Sequence, residues 1–385
     1  MADFRKGRSR HVGIEPLERR CLLSAITNWA SRGPGGGGAF FSPTFSPFNA
    51  SELYTVSDMS GLYHTTNLGQ SWSVANSTKI QGGIGSKVQF TSNPNILYTL
   101  DYSDNSSGGG STAPSISTDG GNTWTQVAGW NGSNDQAYSI FANPASASQL
   151  LVSDYGSLYF SSNSGASFTS VFTDSSGAGC YVGGVYWNGN NIYVGTDVGL
   201  VVSSNGGASF ALSTAGGLPA GSAILSLSGA TSGGVTRLAC VTANSGDVYA
   251  GLETGSIPQG SYSGTFTLTP GNANWVPVGS LPSGDSPLIV SMAGNDINTI
   301  YLGGTNYSTS YPIIAKSTNG GQSFSDVLNT TNNANIITGW QGSGGDRGWS
   351  FDQLTEGFEV DPANSSYLAF TGYGFLHLST NGGQT

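Results

Sequence analysis

Charge is scarce in this chain: only 9% of its 385 residues are Asp, Glu, Lys or Arg. With so few long charged side chains to clothe amphipathic helices, an all-helical fold is set aside. Cysteine is nearly absent, with Cys21, Cys180 and Cys240 alone. Three thiols make no even disulfide framework, and their positions match no zinc spacing. Cys180 and Cys240 stay open between a mutual bridge and two buried free thiols on strands. The histidines are His11, His64 and His377, scattered along the chain, so no metal is expected, and no cofactor. Long apolar runs are missing as well. Nothing approaches the roughly twenty apolar residues of a membrane-spanning helix.

What the chain has instead is turn chemistry and rings. It contains 59 Gly with abundant Ser, Thr and Asn, and its 11% aromatic content supplies apolar bulk for a core. Glycine-rich turns with enough aromatic mass argue for a folded all-β protein rather than a disordered one.

Charge is also unevenly placed. Arg5, Lys6, Arg8, Arg10, Arg19 and Arg20 are half of the twelve basic residues, which separates a basic leader, residues 1–28, from the domain at 29–385. Beyond that leader six basic residues face nineteen acidic ones. Such a surface repels phosphates and anionic lipid, so nucleic acid is not an expected partner, and it suits a neutral polysaccharide or oligosaccharide. Within the leader, Ile14-Glu15-Pro16-Leu17-Glu18-Arg19-Arg20-Cys21-Leu22-Leu23-Ser24-Ala25 resembles the N-terminal sorting segment of exported planctomycete-type bacterial proteins. The resemblance implies a secreted or cell-surface protein.

One phrase organises the rest: Ser/Thr, any, Asp/Asn, any, Gly, any, Ser/Thr, aromatic. It occurs at Thr65–Trp72, Ser117–Trp124, Ser161–Phe168, Ser203–Phe210 and Ser317–Phe324, and a copy at Ser379–Thr385 stops before its aromatic. Asp or Asn in third place (Asn67, Asp119, Asn163, Asn205, Asn319, Asn381) can accept hydrogen bonds from the backbone just ahead, while Gly takes positive φ. The phrase resembles the Asp-box of sialidases, sortilin-type receptors and several glycosidase families, where its work is structural.

The third-place residues are separated by 52, 44, 42, 114 and 62 positions. A period of roughly 40 to 60 residues, each with about four short alternating strands, marks β-propeller blades. The long gap holds two periods, with a degenerate copy around Gly271–Trp275, so the expected fold is an all-β seven-bladed β-propeller of Asp-box repeats. Because the last copy lacks its aromatic and a fourth strand, the chain is expected to be cut short before the ring closes and before a second propeller. A monomer is expected.

The run Gly35–Gly38 reads either as linker or as backbone laid close to a ligand at the mouth of the barrel. Together with Phe40, Leu53-Tyr54-Thr55-Val56-Ser57-Asp58-Met59-Ser60-Gly61-Leu62-Tyr63 and the first box, it resembles the opening of the two-propeller glycosidases that cut xyloglucan and related β-1,4-glucans. In that family the Asp of a Tyr-Ala-Arg-Thr-Asp-x-Gly-Gly-x-Tyr phrase is one of two catalytic carboxylates, which by position is Asp58. This sequence departs from the phrase at Val56, Ser57 and Ser60. The family's second acid lies in its second propeller, so this chain by itself is expected to carry half a site and to be inactive. Asp58 has a structural reading too, because Asp154 and Asp197 hold similar strand-end places where an Asp caps a turn.

Flat rings beside hydrogen-bonding groups bind sugars. Trp130, Trp340, Trp349 and Tyr373 are the substrate-binding candidates, with Trp187, Tyr102 and Tyr138 in comparable places and packing between blades as the alternative for each. The Gly-rich stretch Gly339–Trp349 carries two of these indoles and the pair Asp346–Arg347. Glu356 and Glu359 are expected on opposite strand faces, solvated at the surface, with at most one able to point into a central channel. The expected function is an exported glycoside hydrolase acting by an inverting two-carboxylate mechanism. The alternative is a non-catalytic Asp-box propeller that binds carbohydrate or protein. A sialidase is disfavoured, because Arg32 precedes the first blade and acidic surroundings oppose an anionic substrate.

Overall fold

The computed structural model describes residues 38–59, 61–75, 78–102, 112–130, 137–154, 156–174, 180–248, 258, 260–309, 311–329, 355–372 and 374–384. The leader, Trp340, Trp349 and Tyr373 lie outside them. Among the described residues there are seven antiparallel sheets, six of four strands and one of three, each ordered along the sequence. The architecture is a seven-bladed β-propeller. Blade 1 runs outward through Phe40–Ser46, Asn49–Ser57, Leu62–Thr65 and Ser73–Val74. The inner strands of blades 2 to 7 are Gln89–Phe90, Ser139–Ala142, Val182–Asn188, Ser222–Ser232, Asp285–Ser291 and Gly357–Asp361. Among the described residues no helix is long and apolar enough to cross a membrane.

The core is divided into seams. One apolar cluster joins blades 1 and 2 around Tyr54, Val56, Phe90 and Trp124, and others join each successive pair. The ring closes through Phe45 and Leu53 of blade 1 against Ala369 and Leu376 of blade 7. Blade 7 has three strands among the described residues. Around the channel, inner strands are tied by small hydroxyls: Val290 N–H donates to Ser226 Oγ at 3.1 Å and Val360 N–H to Ser291 Oγ at 3.0 Å.

The repeated phrase forms the turn between the third and outer strands. Thr65 Oγ1 donates to Asn67 Oδ1 at 2.9 Å and accepts the Gly69 N–H at 3.1 Å, while Ser71 N–H closes back onto Asn67 Oδ1 at 2.9 Å. The copies at Asp119, Asn163, Asn205 and Asn319 repeat this set. At Asn381 the bond from Ser379 and the bond to Gly383 are kept, at 3.0 and 2.9 Å. The glycines at Gly121, Gly207 and Gly321 take φ of 87° to 94°. A Cβ at Gly121 would collide with the Tyr54 ring of the preceding blade, so glycine here serves both the turn and the seam. The degenerate copy falls where expected, ahead of the Val276–Pro277 outer strand of blade 5, with Trp275 buried in the seam to blade 4.

Cys180 and Cys240 are both buried and free. They belong to different seams, blade 3 to 4 and blade 4 to 5, so no bridge joins them. Burial pushes the Cys180 thiol up to about 12, aided by the charges of Asp197, Asp174 and Asp154.

Candidate functional site

Strand registers decide which end of the ring each motif occupies. In blade 1, Phe40 pairs with Ser57 and Val56 with Leu62, so the start of the inner strand and the turn after the second strand share one end. The repeated turns, which follow the third strands, sit on the opposite end. Asp58, Asp154 and Asp197 all follow second strands and therefore share the first end.

Asp58 is exposed, and its N–H donates to the Ala39 carbonyl at 3.2 Å. The turn beneath it is closed by Ser57 N–H donating to Gly61 O at 2.9 Å. Gly38, at φ 93°, lies against the Asp58 carboxylate, and a Cβ there would overlap Oδ1 and come within 2.8 Å of Met59 Cγ. L side chains rarely adopt that φ, so the backbone there favours glycine. The last residue of the glycine run thus packs on the candidate acid.

The neighbouring strand-end acids differ from Asp58. Asp154 is 4% exposed and its Oδ1 accepts the Gly156 and Ser157 N–H groups at 2.8 and 2.7 Å, the turn cap expected for it. Asp197 is 7% exposed, and its Oδ1 is buried without a hydrogen-bond partner. Burial, then the nearby Asp174, pushes its pKa up to about 7. Asp285 is likewise pushed to about 7, by burial and then Asp326. Among the described residues no group of three His, Cys, Asp or Glu is arranged to hold a metal ion.

The inner strands enclose a central cavity of about 530 Å³. Its lining includes Phe45, Phe141, Trp187 and Phe358, with Glu356, Glu359 and Lys87 as the charged groups. The surface-solvated expectation for Glu356 and Glu359 is corrected, since both line the cavity. Period-two alternation misleads here because Glu356 precedes the strand, which begins at Gly357. Its own N–H donates to Thr371 O at 2.9 Å. Glu359, 13% exposed, is ion-paired with Lys87 from blade 2, which opposes the upward push of burial. Both carboxyl oxygens of Glu356 are buried and lack a hydrogen-bond partner among the described residues. Burial, then the charge of Asp58, pushes Glu356 up to about 8.

The aromatic candidates separate. Trp130 is half-buried, with its ring 5.5 Å from Tyr159 and 5.3 Å from Phe168 in edge-on contacts, so it packs the seam between blades 2 and 3. That is the packing alternative rather than an open stacking face. Tyr102 packs on Gly83, and its hydroxyl accepts the Gly85 N–H at 3.2 Å. Trp187 lies on the inner strand of blade 4 and borders the cavity.

No family model matches the chain, and a search of curated proteins finds no match. Solved structures do resemble it. The GH74 xyloglucanase from Xanthomonas campestris superposes with a TM-score of 0.67 at 18% identity, over 92% of this chain and 54% of that one. The GH74 enzyme of Niastella koreensis gives 0.65 at 20% identity, over 91% and 53%. YCF48 bound to D1 peptide gives 0.55 at 14% identity, over 91% and 95%. The chain spans about half the length of the two GH74 structures. At these identities the likeness is one of fold.

Proposed function

We propose that this chain is an exported, carbohydrate-active propeller of the xyloglucanase type. It holds a neutral β-1,4-glucan such as xyloglucan at the end of the ring that carries Asp58, and Asp58 is one of two carboxyl groups of an inverting hydrolysis. The observation that carries this reading is the placement of Asp58: exposed, on the end opposite the repeated turns, and against Gly38. The acidic surface supports an uncharged ligand, and the fold likeness to GH74 structures supports the class.

In such a reaction one carboxylate takes a proton from water as the water attacks the anomeric carbon, and a second carboxyl group protonates the departing glycosidic oxygen. Asp58, exposed to solvent, suits the first role. Trp340 and Trp349 belong to the segment joining blade 6 to blade 7, and Tyr373 follows the second strand of blade 7. We assign them to sugar stacking. Trp130 is left to packing.

The test is titration of xyloglucan oligosaccharide into the full chain by calorimetry, with reducing ends released from xyloglucan measured for wild type and Asp58→Ala. Binding is expected, and any hydrolysis of xyloglucan should fall by several orders of magnitude in the variant. Hydrolysis unchanged in Asp58→Ala would remove Asp58 from the mechanism, and absence of binding would end the carbohydrate reading.

A further inference from the structure

We infer that the central cavity is a binding site for a small organic monocation, a protonated amine on an apolar body, and that Glu356 is the carboxylate that pairs with its ammonium group. The inner strands build this site, and it stands whether or not the chain is a hydrolase.

The argument begins with the wall. A volume of about 530 Å³ is within the range of pockets that hold small molecules. Phe141 of blade 3, Val185 and Trp187 of blade 4 and Ile289 of blade 6 line it, each only half-buried. The hydroxyls of the wall already have partners. Ser226, Ser228 and Ser291 each accept an N–H from the next inner strand, and the Ser42 hydroxyl donates to Ile84 O at 3.0 Å. Glu356 is held from three sides. Its N–H is bonded to Thr371 O, the Thr355 hydroxyl donates to Gly304 O at 2.8 Å, and Gly357 lies so close to blade 1 that a Cβ would come within 2.7 Å of Ser42 N and of Pro43 Cδ. Backbone fixed in this way presents the carboxyl group at low cost in lost freedom on binding.

The second part of the argument is polar and charge satisfaction. A buried carboxyl group nearly always has hydrogen-bond partners, and leaving it without them is costly. The cavity is lined by three charged residues, Lys87, Glu356 and Glu359. Lys87 and Glu359 form an ion pair and cancel, which leaves Glu356 as the one unmatched acid, with both oxygens buried and unpartnered among the described residues. An ammonium group supplies what is missing: N–H donors for those oxygens and one positive charge.

The same features select among ligand classes. An anion would meet an unpaired acid, and a dication would carry one charge more than the wall can match. A sugar would bring several hydroxyls to a wall whose own hydroxyls are engaged and whose partly open side chains are apolar. The apolar body of the ligand answers to Phe141, Val185, Trp187 and Ile289. Binding also moves a proton. With its pKa pushed to about 8, the carboxyl group of Glu356 keeps its proton at neutral pH, and an adjacent ammonium draws the value down. The carboxyl proton then passes to solvent as the ion pair forms, the ammonium keeps its own, and no covalent bond is made.

The experiment is calorimetric titration of phenethylamine, and of 2-phenylethanol as its uncharged counterpart, into the full chain in phosphate and in Tris, whose different heats of ionisation report the protons exchanged. The wild type should bind the amine and release about 0.9 proton per ligand at pH 7, the fraction of Glu356 protonated there. Amine affinity should rise about tenfold from pH 7 to pH 9, as the acid ionises without the ligand's help. The alcohol should bind about 10- to 100-fold more weakly and release no proton. Glu356→Gln, which keeps the shape of the neutral acid, should bind the amine no better than the alcohol and lose the proton release. Asp197→Asn removes another raised acid, one that does not line the cavity, and should release protons as the wild type does. Equal affinity of the wild type for amine and alcohol, proton release that survives in Glu356→Gln, or no binding of the amine at millimolar concentration would each overturn the assignment.

Discussion

Replacing Glu356 by Gln should make the protein more stable at alkaline pH while leaving its acid-side stability unchanged. In the folded chain the carboxyl group is pushed from its ordinary 4.5 to about 8, by burial and then by the charge of Asp58. A raised folded value means the native state binds the proton more tightly than the unfolded chain. The contribution is therefore complete below about pH 4.5, shrinks as pH rises, and is gone above about 8. At about 1.4 kcal/mol for each pH unit, the interval from 4.5 to about 8 corresponds to about 5 kcal/mol. A glutamine has the same shape as the neutral acid and never ionises. Asp197, Asp285, Glu359 and Asp361 are raised too, so the wild-type curve alone does not isolate Glu356. The difference between the two proteins does. Urea unfolding followed by circular dichroism at pH 5, 7 and 9 would measure it, with the variant gaining on the wild type by a few kcal/mol across the series. Parallel curves from pH 5 to 9 would show that the folded state does not hold Glu356 neutral, and the reasoning from its unpartnered oxygens would fail with them.

Gly38→Ala places a Cβ against the Asp58 carboxylate at a φ of 93°, so it should cost about 1 to 3 kcal/mol and displace the acid, read as a loss of hydrolysis larger than any loss of sugar binding. Asn163→Ala removes the acceptor of the Ser161 hydroxyl and of the Ser167 N–H, both within 3.0 Å, and should lower stability by about 1 to 2 kcal/mol in urea while leaving hydrolysis unchanged, because the turn is on the far end of the ring. Leu53→Ala opens the closing seam at a fully buried position and should cost about 2 to 5 kcal/mol, whereas Val74→Ala on the exposed outer strand should cost under about 0.5 kcal/mol in the same assay. Iodoacetamide labelling with mass spectrometry should leave Cys180 and Cys240 unmodified until the chain is denatured, with no peptide linking the two.

The parts of the fold that were legible in the sequence are those made by residues close together in the chain. Thr65, Asn67, Gly69 and Ser71 bond one another across four positions, so the pattern that spells the turn also builds it. Six such turns and a seventh degenerate one were enough to count the blades. The pairing of Phe40 with Ser57 and of Val56 with Leu62 then puts Asp58 on the end away from the turns.

What the sequence left open depends on residues far apart. Tyr159 and Phe168, from the next blade, draw Trp130 into a seam, while Trp187 turns toward the cavity, and no local pattern distinguishes the two indoles. Cys180 and Cys240 look pairable along the chain but fall in separate seams. Ala369 and Leu376 of blade 7 meet Phe45 and Leu53 of blade 1 across more than three hundred residues. Glu356 reads as an ordinary surface acid until blade 7 meets blade 1, when burial strips water from its carboxyl group. The sequence by itself determined the repeat, its turns and the end of the ring on which Asp58 stands, because hydrogen bonds a few residues apart specify them. Only the tertiary structure decided the burial of Glu356, because the environment that raises it is made by both ends of the ring at once.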